Sequence, residues 1–232
     1  MSVTDANVSV SSLEAVSAVD SIQSRVISSL SITHFLSAAS FSRKVGQLET
    51  DHVGEVFGDF FEEIQSFSIA TIFSLVAALE AYANELFVLY KDVIFPDLRI
   101  DVVAKLWELY EKKPTVEKYD LALFLANKPA LEKGGRPYQD IDALIKLRNG
   151  LVHYRPEWSD EQVEHRKISV AISGKAIGSS FYPTETPLFP RAWSSHKTLL
   201  WALNNSIEFV EKFESQMGIS SNLLPFKDRL RG

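Results

Sequence analysis

An arginine, an amide and a histidine fall close together in IDALIKLRNGLVHYRP, residues 141–156, as Arg148, Asn149 and His153. These side-chain types suit work on a phosphodiester. An imidazole titrating near neutrality exchanges protons at cellular pH, and a guanidinium can hold two phosphate oxygens as negative charge builds on them. The carboxamide of Asn149 can orient an imidazole or bind a phosphate oxygen. Cleavage of RNA asks for little more than a proton acceptor, a proton donor and positive charge, because the 2′-hydroxyl of the substrate is itself the nucleophile.

The element that must position these groups is legible in the same segment. Ile141, Leu144, Ile145, Leu147, Leu151 and Val152 recur at helical spacing, which predicts an amphipathic helix stopped by Pro156. Asn149 and His153, four apart, share a face, whereas Arg148 and His153, five apart, stand about 140° around an ideal helix. One straight helix does not close that Arg–His pair. Either Gly150 loosens the last turns, or a second copy of the helix across a two-fold axis completes the pair. On spacing alone a plainer reading competes: RNGLVHY is a helix C-terminus, where basic groups meet the dipole and the last carbonyls.

The remaining helices set the frame. Residues 13–30 carry apolar positions every three or four residues and predict an amphipathic helix with Ser-rich flanks, after a small, polar stretch 1–12 expected to be disordered. Residues 51–95 predict one long spine helix, bent near Gly54 and Gly58 and ended by Pro96. Within it, residues 64–79 lack charge but fall short of a membrane span, so they read as buried. Glu80 and Glu85 follow that run, and Glu80 is a candidate to face the site and pair with Arg148. Helices are expected over 100–112 and 116–127 on either side of Pro114, and Gly134 and Gly135 supply a turn rather than a phosphate loop, since no Gly-Lys-Ser/Thr ending follows. Residues 168–173, ISVAIS, alternate as a strand does, and Gly174 and Lys175 suit a turn, so a small hairpin is expected between 166 and 182. Three prolines then lead to a last helix over 191–217.

Composition excludes several classes. With no Cys among 232 residues there is no disulfide, thiolate nucleophile or Cys-ligated metal, which fits a reducing cytoplasm. The N-terminal residues lack the pattern of a signal peptide, so a cytoplasmic protein off the membrane is expected. His34, His52, His165 and His196 are not spaced as metal ligands, and no Gly-x-Ser-x-Gly elbow occurs. A net charge of −6 argues against indiscriminate coating of nucleic acid. Residues 133–155 nevertheless hold five Lys and Arg against two Asp, a local +3 that leaves −9 for the remainder.

RNGLVH resembles the signature of HEPN domains, an Arg, a polar residue and a His after four to six intervening positions, on a late helix of an all-helical bundle. LVAALEAYANELF, residues 75–87, is similar to the long early helix of that family, with Glu80 and Asn84 as its acidic and amide residues. The resemblance covers about a quarter of the chain. It implies a mainly all-α, HEPN-like bundle over residues 1–232, the hairpin being an insertion before the last helix. It also implies a homodimer whose two motifs meet in a cleft, and a metal-independent, cofactor-free endoribonuclease of toxin or defence type that leaves 2′,3′-cyclic phosphate and 5′-hydroxyl ends. Arg148, Asn149 and His153 would be catalytic, with Glu80, Asn84, Tyr154 and Arg155 in support; the partners would be RNA and a cognate antitoxin or nucleotidyltransferase. In some members a Tyr two residues after the His is modified by that nucleotidyltransferase. Here Tyr154 follows by one residue and Arg155 holds the family's place. A different class stays open beside this one, a non-catalytic helical module that binds RNA or protein.

Overall fold

Seven residues of turn fold the first two long helices back on each other. In the computed structural model, which describes residues 15–18, 21–24, 28–89, 91–158 and 160–231, α1 (Ser31–Asp51) leads through residues 52–58 into α2 (Asp59–Val88). The expected single helix over 51–95 is therefore corrected. Gly54 takes a φ of +83°, which L side chains rarely adopt, and Gly58 is extended as the N-cap of α2, so the two glycines make a reversal rather than a bend. Asp59 and Glu62 in the first turn of α2 favour a helix start there.

α1 was hidden by its serines. Its buried positions Phe35, Ala38, Ala39, Ser42, Val45 and Leu48 keep helical spacing, and their small members let α1 lie close on α2. Glu85 fixes the start of α1: its carboxylate accepts the N–H groups of Leu30 and Ser31 at 2.9 and 3.0 Å and the Ser31 hydroxyl at 2.6 Å. Glu85 is thus a cap on α1. By length and composition α2 passes for a membrane span, with a mean hydropathy of 1.6. Thirteen of its side chains are buried in the bundle, including Ile64, Ile72, Leu75 and Leu79 with no exposure. Each such aliphatic side chain contributes about 1.5–3 kcal/mol to folding.

α3 (Lys91–Ile94), a separate single turn, falls inside the expected 51–95 helix, and the expected shorter helices follow as α4 (Ile100–Tyr110), α5 (Thr115–Leu125) and α6 (Tyr138–Val152). Next come α7 (Val163–Ile172) and α8 (His196–Met217), and α9 (Lys227–Leu230) ends the described chain. Ser195 caps α8, its hydroxyl accepting the Thr198 N–H at 3.2 Å, and Gly218 ends it at a φ of +75°. One apolar core joins α1, α2, α5, α6 and α8.

Two sequence expectations give way. Residues 15–18 and 21–24 are strands, not helix: β1 (Ala15–Ala18) pairs antiparallel with β2 (Ser21–Ser24), Ala15 opposite Ser24. Ser17, Ser21 and Ser24 weaken a helix whose apolar positions fit a short strand equally well. The stretch 1–12 lies outside the described residues. The hairpin over 166–182 is likewise replaced. Residues 168–172 are the second half of α7, because His165 and Ile172 are buried and Ile168 half-buried at helical spacing, while Val170, which alternation placed beside Ile168 and Ile172, is 67% exposed. The six residues ISVAIS satisfied both periods. Residues 173–187 are loop, and an irregular turn, Leu188–Ala192, leads into α8.

Candidate functional site

α6 is held at its start by a fully buried carboxylate. Asp140 accepts from Lys175 Nζ at 2.9 Å and from the Trp201 indole N–H at 3.0 Å, and Arg136 Nε stands 2.9 Å from its other oxygen. Burial by itself would raise the Asp140 pKa; the hydrogen bonds of Lys175 and Trp201 and the Lys175 and Arg136 charges outweigh it and hold the carboxyl below the usual range. Ile141, Ala143, Leu144 and Leu147 then bury the inner face. The helix stays regular through Val152, so Gly150 does not loosen it. His153 is its C-cap, donating its N–H to the Asn149 carbonyl at 2.9 Å, three residues before the expected stop at Pro156.

Gly150 has another task. A Cβ there would stand 2.4 Å from Cδ1 of Ile168 and 3.3 Å from Cζ of Phe189, so glycine is what lets α6 and α7 touch. Beside that contact opens a cleft of about 700 Å³. Lys146, Asn149 and His153 line it from α6, Arg155 from the segment that follows, and Glu164, Lys167, Ile168 and Ala171 from α7, over a floor that includes Phe189. Two of the expected catalytic residues, Asn149 and His153, thus meet in one concavity with Arg155. Arg148 does not line it; half-buried, it points off the shared face, as five-residue spacing requires.

The segment 153–157 is strapped to α7. His165, buried, donates from Nε2 to the Arg155 carbonyl at 2.8 Å. Its ring stacks with Tyr154 at 5.3 Å and meets Phe189 edge-on at 5.2 Å. Glu157 accepts the N–H groups of Glu164 and His165 at 3.0 and 3.1 Å, capping α7. Those N–H groups, that of His165 first, hold the Glu157 carboxyl below the usual range against its partial burial. Sequence reasoning considered His165 only as a metal ligand. Its partner is a main-chain carbonyl, which leaves no mark on the sequence.

Electrostatically the cleft is cationic with limited free charge. Lys146 pairs with Asp142 at 2.7 Å and Lys167 with Glu164 at 2.6 Å. No side chain among the described residues pairs with Arg155 or His153, and both are exposed.

Glu80 and Asn84 lie elsewhere, which corrects the expected Glu80–Arg148 pair. Glu80 accepts from Lys118 Nζ and from the Thr115 hydroxyl, and Asn84 Oδ1 accepts from the same Lys118 at 3.0 Å. Lys118 is buried, its ammonium 5.3 Å from the Trp107 ring centre. A buried ammonium needs a carboxylate nearby, and Glu80 supplies it.

No family model, curated protein or solved structure matches this chain.

Proposed function

We propose that the chain is a metal-independent endoribonuclease of HEPN type, cytoplasmic and toxin- or defence-like, that cuts RNA through attack of the 2′-hydroxyl. The observation that carries this reading is the convergence of His153, Asn149 and Arg155 on one cationic cleft. His153, exposed at the end of α6 and without a side-chain partner among the described residues, takes the proton of the 2′-hydroxyl and returns it to the leaving 5′-oxygen. Arg155 meets the phosphate oxygens with Lys146 beside it, and Asn149, one turn before His153, orients the imidazole or a phosphate oxygen. The 2′-oxygen bonds to phosphorus as the 5′-oxygen leaves, giving a 2′,3′-cyclic phosphate and a 5′-hydroxyl. The likeness of RNGLVH to the family signature supports the same chemistry.

Arg148 enters this reading through a homodimer. Two α6 helices meeting across a two-fold axis would bring Arg148 of each copy towards the cleft of the other. Cleavage of RNA by the purified protein in the presence of EDTA, lost in His153→Ala, tests the assignment. The second reading, a binding module without catalysis, draws on the exposure of Val170 and of Trp158, which is 79% exposed. Tight RNA binding with no cleavage by the native chain would favour it.

A further inference from the structure

The two walls of the cleft differ in chemistry. On the α6 side stand Lys146, Asn149 and His153, joined by Arg155. On the α7 side Ile168, Val170 and Ala171 present hydrocarbon beside the Lys167–Glu164 ion pair, over a floor that includes Phe189. Phosphate chemistry alone has no use for that second wall, and leaving Val170 67% exposed on it carries a hydration cost that a ligand would remove. A volume of about 700 Å³ is within the range of small-ligand pockets.

We infer that the cleft takes one unpaired nucleotide, its phosphate on the α6 wall at His153 and Arg155 and its base against the α7 wall at Ile168, Val170 and Ala171. This rests on the reading of the cleft as a ribonuclease site and adds the form of the substrate. In a duplex the bases are paired and stacked inside the helix, so only ribose and phosphate would face the hydrocarbon wall. A duplex is also held by many phosphate contacts. Here Lys146 and Lys167 are already paired with Asp142 and Glu164, which leaves Arg155 and His153 to meet one or two phosphates, on a chain of net charge −6. An unpaired nucleotide satisfies both walls at once. Its freed backbone also lets the 2′-hydroxyl swing into line with the leaving oxygen, which stacked A-form geometry prevents.

The width of this subsite is set by Gly150. Its missing Cβ keeps Ile168 in contact with α6 and so fixes how far the two walls stand apart.

Binding of uridine 3′-phosphate, adenosine 3′-phosphate and ribose 5-phosphate to the full chain, followed by calorimetry and by the imidazole resonances of His153, tests the inference without needing turnover. The nucleotides are expected to bind at least about tenfold more tightly than ribose 5-phosphate, a difference of about 1.4 kcal/mol. Val170→Asn, at an exposed position where folding is not at stake, and Ile168→Thr should each shrink that ratio while leaving ribose 5-phosphate binding within about twofold. Nucleotide and ribose 5-phosphate binding equally, both perturbing His153, would overturn the base subsite and leave the phosphate site standing. No perturbation of His153 by any of the three at millimolar concentration would overturn the site reading together with the inference. As a second arm, a bond in a single-stranded oligonucleotide should be cut at least about tenfold faster than the same bond after annealing to its complement. Equal rates would overturn the requirement for an unpaired nucleotide.

Discussion

His153 and Arg155 owe their placement to contacts that are largely main-chain. His153 sits where α6 ends, tied by its own N–H to the Asn149 carbonyl, and Arg155 is held through the bond its carbonyl receives from His165. The assignment gives the two arginines different fates. Arg155→Ala should lower RNA cleavage about a hundredfold, the scale of losing a charged contact to the reacting phosphate. Asn149→Ala should cost about tenfold, because water can replace part of an orienting contact. Arg148→Ala should abolish cleavage only if a second copy brings that side chain to the cleft, so its loss must be complemented in mixed dimers with His153→Ala protein. Steady-state kinetics on one oligonucleotide, with subunit mixing, checks all three. Glu80 makes the contrast: Glu80→Gln should leave cleavage unchanged and destabilise the fold by about 2–4 kcal/mol in urea unfolding, since buried Lys118 loses its carboxylate.

At the scale of elements, the close approach of α6 and α7 at Gly150 decides the shape of the site. Gly150→Ala adds a methyl group 2.4 Å from Ile168 Cδ1, an overpacking of about 1–3 kcal/mol set against about 1 kcal/mol of gained helix propensity. The double variant with Ile168→Ala should recover the loss, with a coupling of about 1–2 kcal/mol in a double-mutant cycle from chemical denaturation. Strict additivity would mean that the two helices do not meet there. α6 itself was legible in the sequence because its apolar stripe is long enough to separate periods of 3.6 and 2, and α4, α5 and α8 were legible for the same reason. α7 was not, because ISVAIS is too short to choose, and α1 was not, because Ser42 and the alanines at 38 and 39 interrupt the bulky members of its buried stripe, Phe35, Val45 and Leu48. In the site, Asn149 and His153 followed from helical spacing, whereas the cleft wall of Ile168 and Ala171 depended on a tertiary contact that no local pattern encodes.

Over the whole molecule, charge is divided. The cationic cleft lies in an acidic chain, and the turn between α1 and α2 with its flanks, residues 51–63, holds five acidic residues and no Lys or Arg. Stability should therefore depend on acid through the carboxylates that have cationic partners. Asp140 has a folded pKa held below its ordinary value of 3.8, so its contribution is complete above that value and is lost as pH falls through it towards the lowered folded pKa. Thermal unfolding from about pH 6 to pH 2 should show this acid limb, and Asp140→Asn should flatten it while lowering stability at neutral pH by about 2–4 kcal/mol. The proposed dimer belongs to this scale too. Light scattering at micromolar concentration should give twice the chain mass of 26.1 kDa, and a monomer would remove the role given to Arg148.

The most direct measurement is cleavage of a single-stranded RNA by the purified native chain in excess EDTA, with the ends of the products identified by mass spectrometry. The expected result is cutting that survives chelation, leaves 2′,3′-cyclic phosphate and 5′-hydroxyl ends, spares DNA of the same sequence and falls at least about a hundredfold in His153→Ala protein that still folds. Full activity in His153→Ala, equal cutting of DNA, or no cutting by the native protein would contradict the account.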